Sequence, residues 1–199
     1  MLNGSKVTLR PVTKSDVEYM TKWMSDTEVT RYVTPYLPIT EMAEEKYVEG
    51  LSLNTSGSIA YFMIDAIETP QNKPIGAIEI GDINTSNHSG SFGISIGEKD
   101  YWSKGYGTEA TKLIIRYGFE QLNLHRISSV VFSFNERSLR LHTKVGFIQE
   151  AIRREAWYRD GEYHNEVLFG LLRSDWQEMK DKKLTSGKGL KNPPFQRGR

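Results

Sequence analysis

The chain has 199 residues, 38% of them hydrophobic and 11% aromatic, which is enough to bury one sizeable core and short for two independent domains. Its 26 basic and 25 acidic residues give a formal charge of +1, which argues against the broad basic surface of nucleic-acid-binding proteins. Cysteine is absent, the four histidines lack metal-ligand spacing, and no apolar run reaches the roughly 18 residues that span a bilayer. We therefore expect a cytoplasmic protein without disulfides, metal, nucleic-acid partner or membrane contact.

The first half of the chain predicts a strand, two helices and a three-stranded antiparallel meander. Residues 6–10 alternate in polarity as a strand does, residues 17–24 place apolar side chains on one helical face, and residues 40–53 predict a second helix. Three strands separated by turn-rich segments follow at residues 59–67, 74–82 and 89–97.

The third strand of this meander has two unequal faces. By the two-residue period of a strand, the larger side chains of Phe92, Ile94 and Ile96 point to one side and the small residues Gly93, Ser95 and Gly97 to the other. We expect the small face to let a ligand approach the backbone closely.

The second half predicts a parallel unit followed by a hairpin. A helix starts near Ala110, residues 126–134 form a strand apolar on both faces, as central strands are, and residues 136–144 form a short helix. Two last strands, at residues 147–158 and 163–172, are joined by Asp160-Gly161, which is typical of a hairpin turn. Residues 182–199 hold six Lys or Arg and no acid. We expect them to be a disordered basic tail on a domain of residues 1–181 whose net charge favours cationic acceptors.

A glycine-rich turn joins the meander to the helix near Ala110. Gly105 and Gly107 permit a tight turn from which backbone N–H groups at the helix start point together at an anion. Lys104 adds a charge within reach of an outer phosphate, and Thr108 adds a hydroxyl. The same letters fit the dinucleotide fingerprint G-x-G-x-x-A, but a segment separates the strand from Gly105, and His125 stands where that fold needs an acid.

Two motifs in order resemble the GNAT superfamily of acetyltransferases, and most closely its RimJ/RimL-type branch. The first is similar to the acyl-CoA pyrophosphate loop and comprises Trp102, Ser103, Lys104, Gly105, Tyr106, Gly107 and Thr108. The second is similar to the family segment N-x-x-S-x-x-L-x-x-K-x-G-F and comprises Asn135, Ser138, Leu141, Lys144, Gly146 and Phe147. The likeness extends over about residues 6–176, with Trp102 where the superfamily usually has Gln or Arg.

This resemblance implies an α+β fold with a mixed, mostly antiparallel twisted sheet of about seven strands, splayed in its middle and flanked by helices. It implies that acetyl-CoA lies in the splay as cosubstrate. Backbone amides of Ile94, Ser95 and Ile96 would hold the pantetheine arm, and Asn135 would bond a pantetheine amide. With no cysteine in the chain, direct attack by the amine in a ternary complex is the natural mechanism.

Acetyl transfer to an amine needs a base for the ammonium proton and a proton donor for the departing thiolate. Glu79 is the candidate base, because it points opposite to its apolar neighbours and resembles acids placed there in relatives; Asp82 and Glu155 are the reserve candidates. For the acid, His142 stands where many family members carry a tyrosine, and it titrates near neutrality. Ser138, four residues earlier on the same short helix, is the competing donor.

A protein that binds acetyl-CoA without turnover is the alternative function. Within the enzyme hypothesis, the acceptor is a protein N-terminus, a polyamine, an amino sugar or an antibiotic amine, and the branch suggests a homodimer. The aromatic side chains expected to wall the acceptor cleft are Trp23, Tyr32, Tyr36, Trp157 and Tyr158.

Overall fold

The structure, a computed structural model, describes residues 1–33, 39–53, 57–68 and 70–185. Its strands are β1 (Leu2–Asn3), β2 (Val7–Arg10), β3 (Ala60–Ala66), β4 (Lys73–Asn84), β5 (Ser89–Ile96), β6 (Arg126–Phe132), β7 (Ile148–Arg159) and β8 (Glu162–Leu172). Its helices are α1 (Val17–Met24), α2 (Thr27–Thr30), α3 (Glu41–Leu53), α4 (Tyr106–Glu120), α5 (Glu136–Val145) and α6 (Arg173–Thr185). No helix within the described ranges is long and apolar enough to cross a membrane.

The strands form one mixed sheet in the order β1-β2-β3-β4-β5-β6-β8-β7. Only β5 and β6 pair in parallel, and α4 connects them, whereas every other neighbouring pair is antiparallel. The expected fold class is confirmed, with eight strands rather than about seven because β1 adds a two-residue edge.

The sheet opens in its middle, between β5 and β6. Their pairing is restricted to three residue pairs, from Ser89 with Arg126 to Ser91 with Ser128. Beyond that point β5 stays paired with β4, and β6 stays paired with β8. The hydroxyl of Ser129 donates to the carbonyl of Phe92 over 3.0 Å and bridges the two strands where they part.

Helices cover both faces of the β3–β5 region. On one face, Ile114 and Phe119 of α4 pack with Ile78 and Ile80 of β4 in the larger buried cluster. On the other face, α1 and α3 contribute a second cluster, which includes Trp23. Burial on both sides fixes the register of β4, because a one-residue slip would exchange its apolar side chains with Glu79.

Two expectations about the second half are wrong in part. Strand β6 is not buried on both faces as a central strand would be, since the apolar side chain of Val130 is 46% exposed. Residues 182–185 are not tail but the last turn of α6, which docks through Trp176 against the ring of Phe119 at a centroid distance of 5.3 Å. Residues 186–199 lie outside the described part of the chain.

Candidate active site

The glycine-rich turn forms the start of α4. Gly105 is the residue before the helix, and its φ of 93° and ψ of −5° lie in the left-handed region that favours glycine. Helix α4 has 15 residues, and its first backbone N–H groups lack helical partners. A Cβ on Gly107 would meet Ile94 and Ile96 at 3.7 Å, so the turn lies against the part of β5 beside the splay. This geometry suits a phosphate group next to an extended acyl chain.

Contacts that the sequence did not predict fix this turn. The indole N–H of Trp102 donates to the carbonyl of Ile96 over 2.6 Å, and Lys6 Nζ donates to the carbonyl of Lys104 over 3.0 Å. Glu109 in the first turn of α4 accepts from the backbone N–H groups of Ser5, Lys6 and Val7 at 2.8, 2.6 and 3.1 Å. The N-terminal segment therefore holds α4 in place.

Glu79 is half-buried on the face of β4 that α1 and α3 cover. It stands between Tyr61 of β3 and Gly93 of β5 in the strand register. A Cβ on Gly93 would come within 3.3 Å of the Glu79 side chain, so this glycine makes room for the carboxylate. Burial, and then the charge of Asp82, raises the pKa of Glu79. A carboxylate with a raised pKa is a stronger proton acceptor.

Helix α5 begins on the other side of the splay. The side chain of Asn135 caps it by accepting from the backbone N–H of Ser138 over 3.1 Å. The guanidinium of Arg137 lies over the ring of Trp102 at 3.9 Å and over the ring of Tyr32 at 5.0 Å. This stack joins α5 to the turn before α4 across the mouth of the splay. Neither sequence motif predicted it.

His142 lies on the buried face of α5, with 2% of its surface exposed. Its Nδ1 donates to the carbonyl of Ser138 over 2.7 Å, and its Nε2 lies 2.9 Å from the hydroxyl of Ser129. Burial lowers the pKa of His142, which keeps the ring neutral at neutral pH. Both ring nitrogens are thus within hydrogen-bond distance of protein groups, and the Ser138 hydroxyl lies 3.3 Å from Nδ1.

Comparison with known proteins identifies the family of this chain. A family model described as an acetyltransferase (GNAT) domain matches residues 6–148. The chain belongs to the GNAT acetyltransferase family. It is 29% identical to N-acetyltransferase p20 of Bacillus licheniformis, over 88% of this chain and 97% of the relative. It is 27% identical to spermidine N(1)-acetyltransferase of Escherichia coli, over 84% of this chain and 86% of the relative.

A solved structure shares the GNAT fold along most of the chain. Spermidine N-acetyltransferase from Vibrio cholerae, in complex with CoA and spermine, matches with a TM-score of 0.78 and 23% identity, over 87% of this chain and 99% of the other. The protein is an acetyl-CoA-dependent N-acetyltransferase.

The described residues contain no group of three or more His, Asp or Glu side chains arranged to hold a metal ion.

The remaining predicted residues are spread over the GNAT fold. Asp82 is exposed, with a left-handed φ of 48°, and Glu155 is exposed on an irregular part of β7, far along the chain from Glu79. Trp23 does not wall a cleft, because it is only 4% exposed and fills the space beside Gly97. The small face of β5 is therefore occupied at one end by Trp23. Tyr36 lies outside the described residues.

Proposed function

We propose that this enzyme acetylates a primary amine of a polyamine by direct attack in a ternary complex, with Glu79 as the proton acceptor. The observation that carries the proposal is the position of Glu79, half-buried beside the strand that borders the splay. An unperturbed alkylamine has a pKa near 10, so proton removal is part of the barrier at neutral pH. Burial raises the pKa of the Glu79 carboxylate. A stronger proton acceptor lowers the part of the barrier that comes from proton removal.

Acetyl-CoA supplies the activated acetyl group, and the residues around the splay fit it. The start of α4, from Trp102 to Thr108, offers backbone N–H groups for the pyrophosphate. The edge of β5 at Ile94, Ser95 and Ile96, which does not pair with β6, offers backbone groups for the pantetheine arm, next to the Ile96 carbonyl that accepts from Trp102. In this arrangement the protein accelerates transfer chiefly by positioning and by fixed dipoles.

Ser138 is the proposed hydrogen-bond donor to the departing thiolate, which it stabilises while keeping its own proton, and His142 is its positioning residue. The Ser138 hydroxyl is on the first turn of α5, whereas His142 is enclosed and neutral. The hydrogen bond from His142 Nδ1 to the Ser138 carbonyl holds the first turn of α5 on its buried side. Asn135, which caps the same turn, is the proposed partner of a pantetheine amide.

A polyamine acceptor is supported by relatives and by charge. The spermidine acetyltransferases of Escherichia coli and Vibrio cholerae both match over more than four fifths of this chain. Residues 1–181 carry more acidic than basic groups, which suits a polycationic acceptor. YdaF of Bacillus subtilis, named as a ribosomal N-acetyltransferase, is 30% identical over 51% of this chain and supports the RimJ/RimL-type branch. A homodimer and a cytoplasmic location stay predictions.

A panel of amines with thiol release as readout tests this function. It includes polyamines, aminoglycosides and short peptides with free N-termini, each incubated with acetyl-CoA and the purified protein. We expect acceptor-dependent CoA release to be greatest with polyamines. Binding of acetyl-CoA without acceptor-dependent release would identify a sensor instead, and preference for a peptide would identify a protein N-terminal acetyltransferase.

The variant Glu79→Gln tests the base. It keeps the shape of the side chain and removes the proton acceptor, so kcat/KM falls by about 10² to 10⁴ and the acidic limb of the pH–rate profile disappears. Asp82→Asn, which removes a nearby exposed charge, is the matched control and keeps the acidic limb. An unchanged profile in Glu79→Gln would exclude Glu79 as the base.

A further inference from the structure

Glu44 is a buried acid that the mechanism above does not use. It lies on α3, its residue is only 4% exposed, and its Oε2 has no hydrogen-bond partner. Among the described residues it also forms no ion pair. Burying a carboxylate without a partner is costly, and such groups in native proteins call for a ligand, an ion or water.

The neighbours of Glu44 connect it to the base. Tyr47 follows three residues later on α3, and its ring meets that of Tyr61 edge to face at a centroid distance of 6.0 Å. Tyr61 in turn stands opposite Glu79 in the register of β3 and β4. Burial, followed by the charges of Glu79 and Glu44, raises the pKa of Tyr47 to about 12. Two carboxylates therefore lie on this side of the sheet with two neutral phenol rings between them.

We infer that Glu44 binds the distal ammonium group of a di- or polyamine while Glu79 receives the reacting amine, and that Glu44 selects such acceptors over monoamines. The inference rests on the proposed function and assigns a second contact within the same site. An alkyl chain with a positive charge at each end matches two carboxylates separated by aromatic faces, which cover methylene groups and attract cations. A monoamine leaves Glu44 without a partner.

Diamines and monoamines of equal carbon number test this contact. The wild type is compared with Glu44→Gln, which keeps the side-chain shape, and with Glu45→Gln, which removes a charge from an exposed position on the same helix. We expect the ratio of kcat/KM for diamine over monoamine to fall about 10- to 100-fold in Glu44→Gln, as the loss of a charged hydrogen bond would give. The ratio stays within about twofold in Glu45→Gln.

Two outcomes overturn the inference. Equal losses for diamine and monoamine in Glu44→Gln would indicate a purely structural role, and equal ratios in Glu44→Gln and Glu45→Gln would indicate a general effect of charge. If Glu44→Gln does not fold, Glu44→Asp replaces it. That variant retracts the carboxylate by one methylene, so the preferred diamine becomes longer; an unchanged length preference contradicts the contact.

A binding measurement separates this inference from the proposed function. Calorimetric titration of diamine into the protein with CoA reports the contact without turnover, and we expect about 10-fold or weaker binding to Glu44→Gln. If the wild type acetylates no amine in the panel, the proposed function fails, and diamine binding still decides the role of Glu44. If amines are acetylated but diamine binding is equal in both proteins, only the inference about Glu44 fails.

Discussion

The imidazole of His142 is held neutral by its surroundings. The rings of Phe92, Phe147 and Phe169 surround it at centroid distances of 5.5, 5.1 and 5.0 Å. With the ring proton on Nδ1, which donates to a backbone carbonyl, Nε2 has no proton and lies 2.9 Å from the hydroxyl of Ser129, whose single hydrogen is donated either to Nε2 or to the carbonyl of Phe92. A charged ring would place a second N–H and a full charge in this apolar setting.

This neutrality predicts how stability depends on pH. Burial lowers the pKa of His142 in the folded state, whereas the unfolded chain has the ordinary value near 6.5. Below about pH 6.5 the unfolded chain therefore binds a proton that the folded protein does not, and the free energy of unfolding falls as the pH decreases. This one group contributes up to about 1.4 kcal/mol per pH unit, until the folded-state pKa is reached.

Urea unfolding at several pH values between about 7.5 and 4.5 measures how steeply the free energy of unfolding changes with pH. This range includes the ordinary histidine pKa of about 6.5. His142→Asn removes the titrating group, so its free energy of unfolding falls less steeply with decreasing pH than that of the wild type. His88→Asn is the control, because His88 is exposed and has a φ of 49° that asparagine accepts. A wild-type slope equal to that of His142→Asn would contradict the buried neutral ring.

At the scale of the element, the left-handed residue before α4 decides whether the backbone N–H groups that we propose to bind phosphate can point together. Gly105→Val places a β-branched residue at a φ of 93°, which costs on the order of 1–2 kcal/mol or forces the turn to rearrange. We expect acetyl-CoA binding, measured by calorimetry, to weaken more than about tenfold, because the N–H groups no longer point together.

A second left-handed glycine provides the matched control. Gly161, in the hairpin between β7 and β8, has a φ of 86° and nothing within 4 Å of its Cβ position. Gly161→Val introduces similar backbone strain in the turn between β7 and β8 and leaves the turn before α4 intact, so it lowers stability while acetyl-CoA affinity stays within about twofold. Loss of affinity in both variants, or in neither, would contradict the assignment of the turn before α4.

Most elements follow from local patterns, and those that do not are short or polar. Period and turn residues predicted β2 to β8, α1, α3, α4 and α5 with small differences at their ends. Strand β1 and helix α2 have two and four residues, too few to show a period. Helix α6 carries mainly charged residues beside Trp176 and Met179, so it lacks the apolar stripe that indicates a helix.

At the scale of the whole molecule, the site divides into a local part and a tertiary part. The turn around Gly105 is contiguous in sequence, so a motif was sufficient to find it. The two-residue period placed Glu79 on the correct face of β4. Two contacts join residues that are far apart in the chain, and only packing brings them together. Arg137 stacks on Trp102, and Tyr47 of α3, three residues after Glu44, meets Tyr61 of β3. The burial of His142 is likewise a property of three surrounding elements.

Helix α6 shows how the end of the chain stabilises the fold without belonging to the site. Trp176 packs on Phe119 of α4, and Arg173 donates to the carbonyl of Leu124 at 2.9 and 2.7 Å. Trp176→Ala therefore lowers the free energy of unfolding by about 2 kcal/mol, less than a fully buried tryptophan because this one is half-buried. Gln177→Ala, at an exposed neighbouring position, changes the free energy of unfolding by less than about 0.5 kcal/mol.

Urea unfolding measures the stability of both variants. Below the unfolding transition, kcat and KM stay at wild-type values, since α6 contacts the core on the side of Phe119 and not the splay. Equal stability of the two variants would mean that α6 does not dock. A changed KM for acetyl-CoA in Trp176→Ala would mean that α4 transmits this contact to the turn at its start.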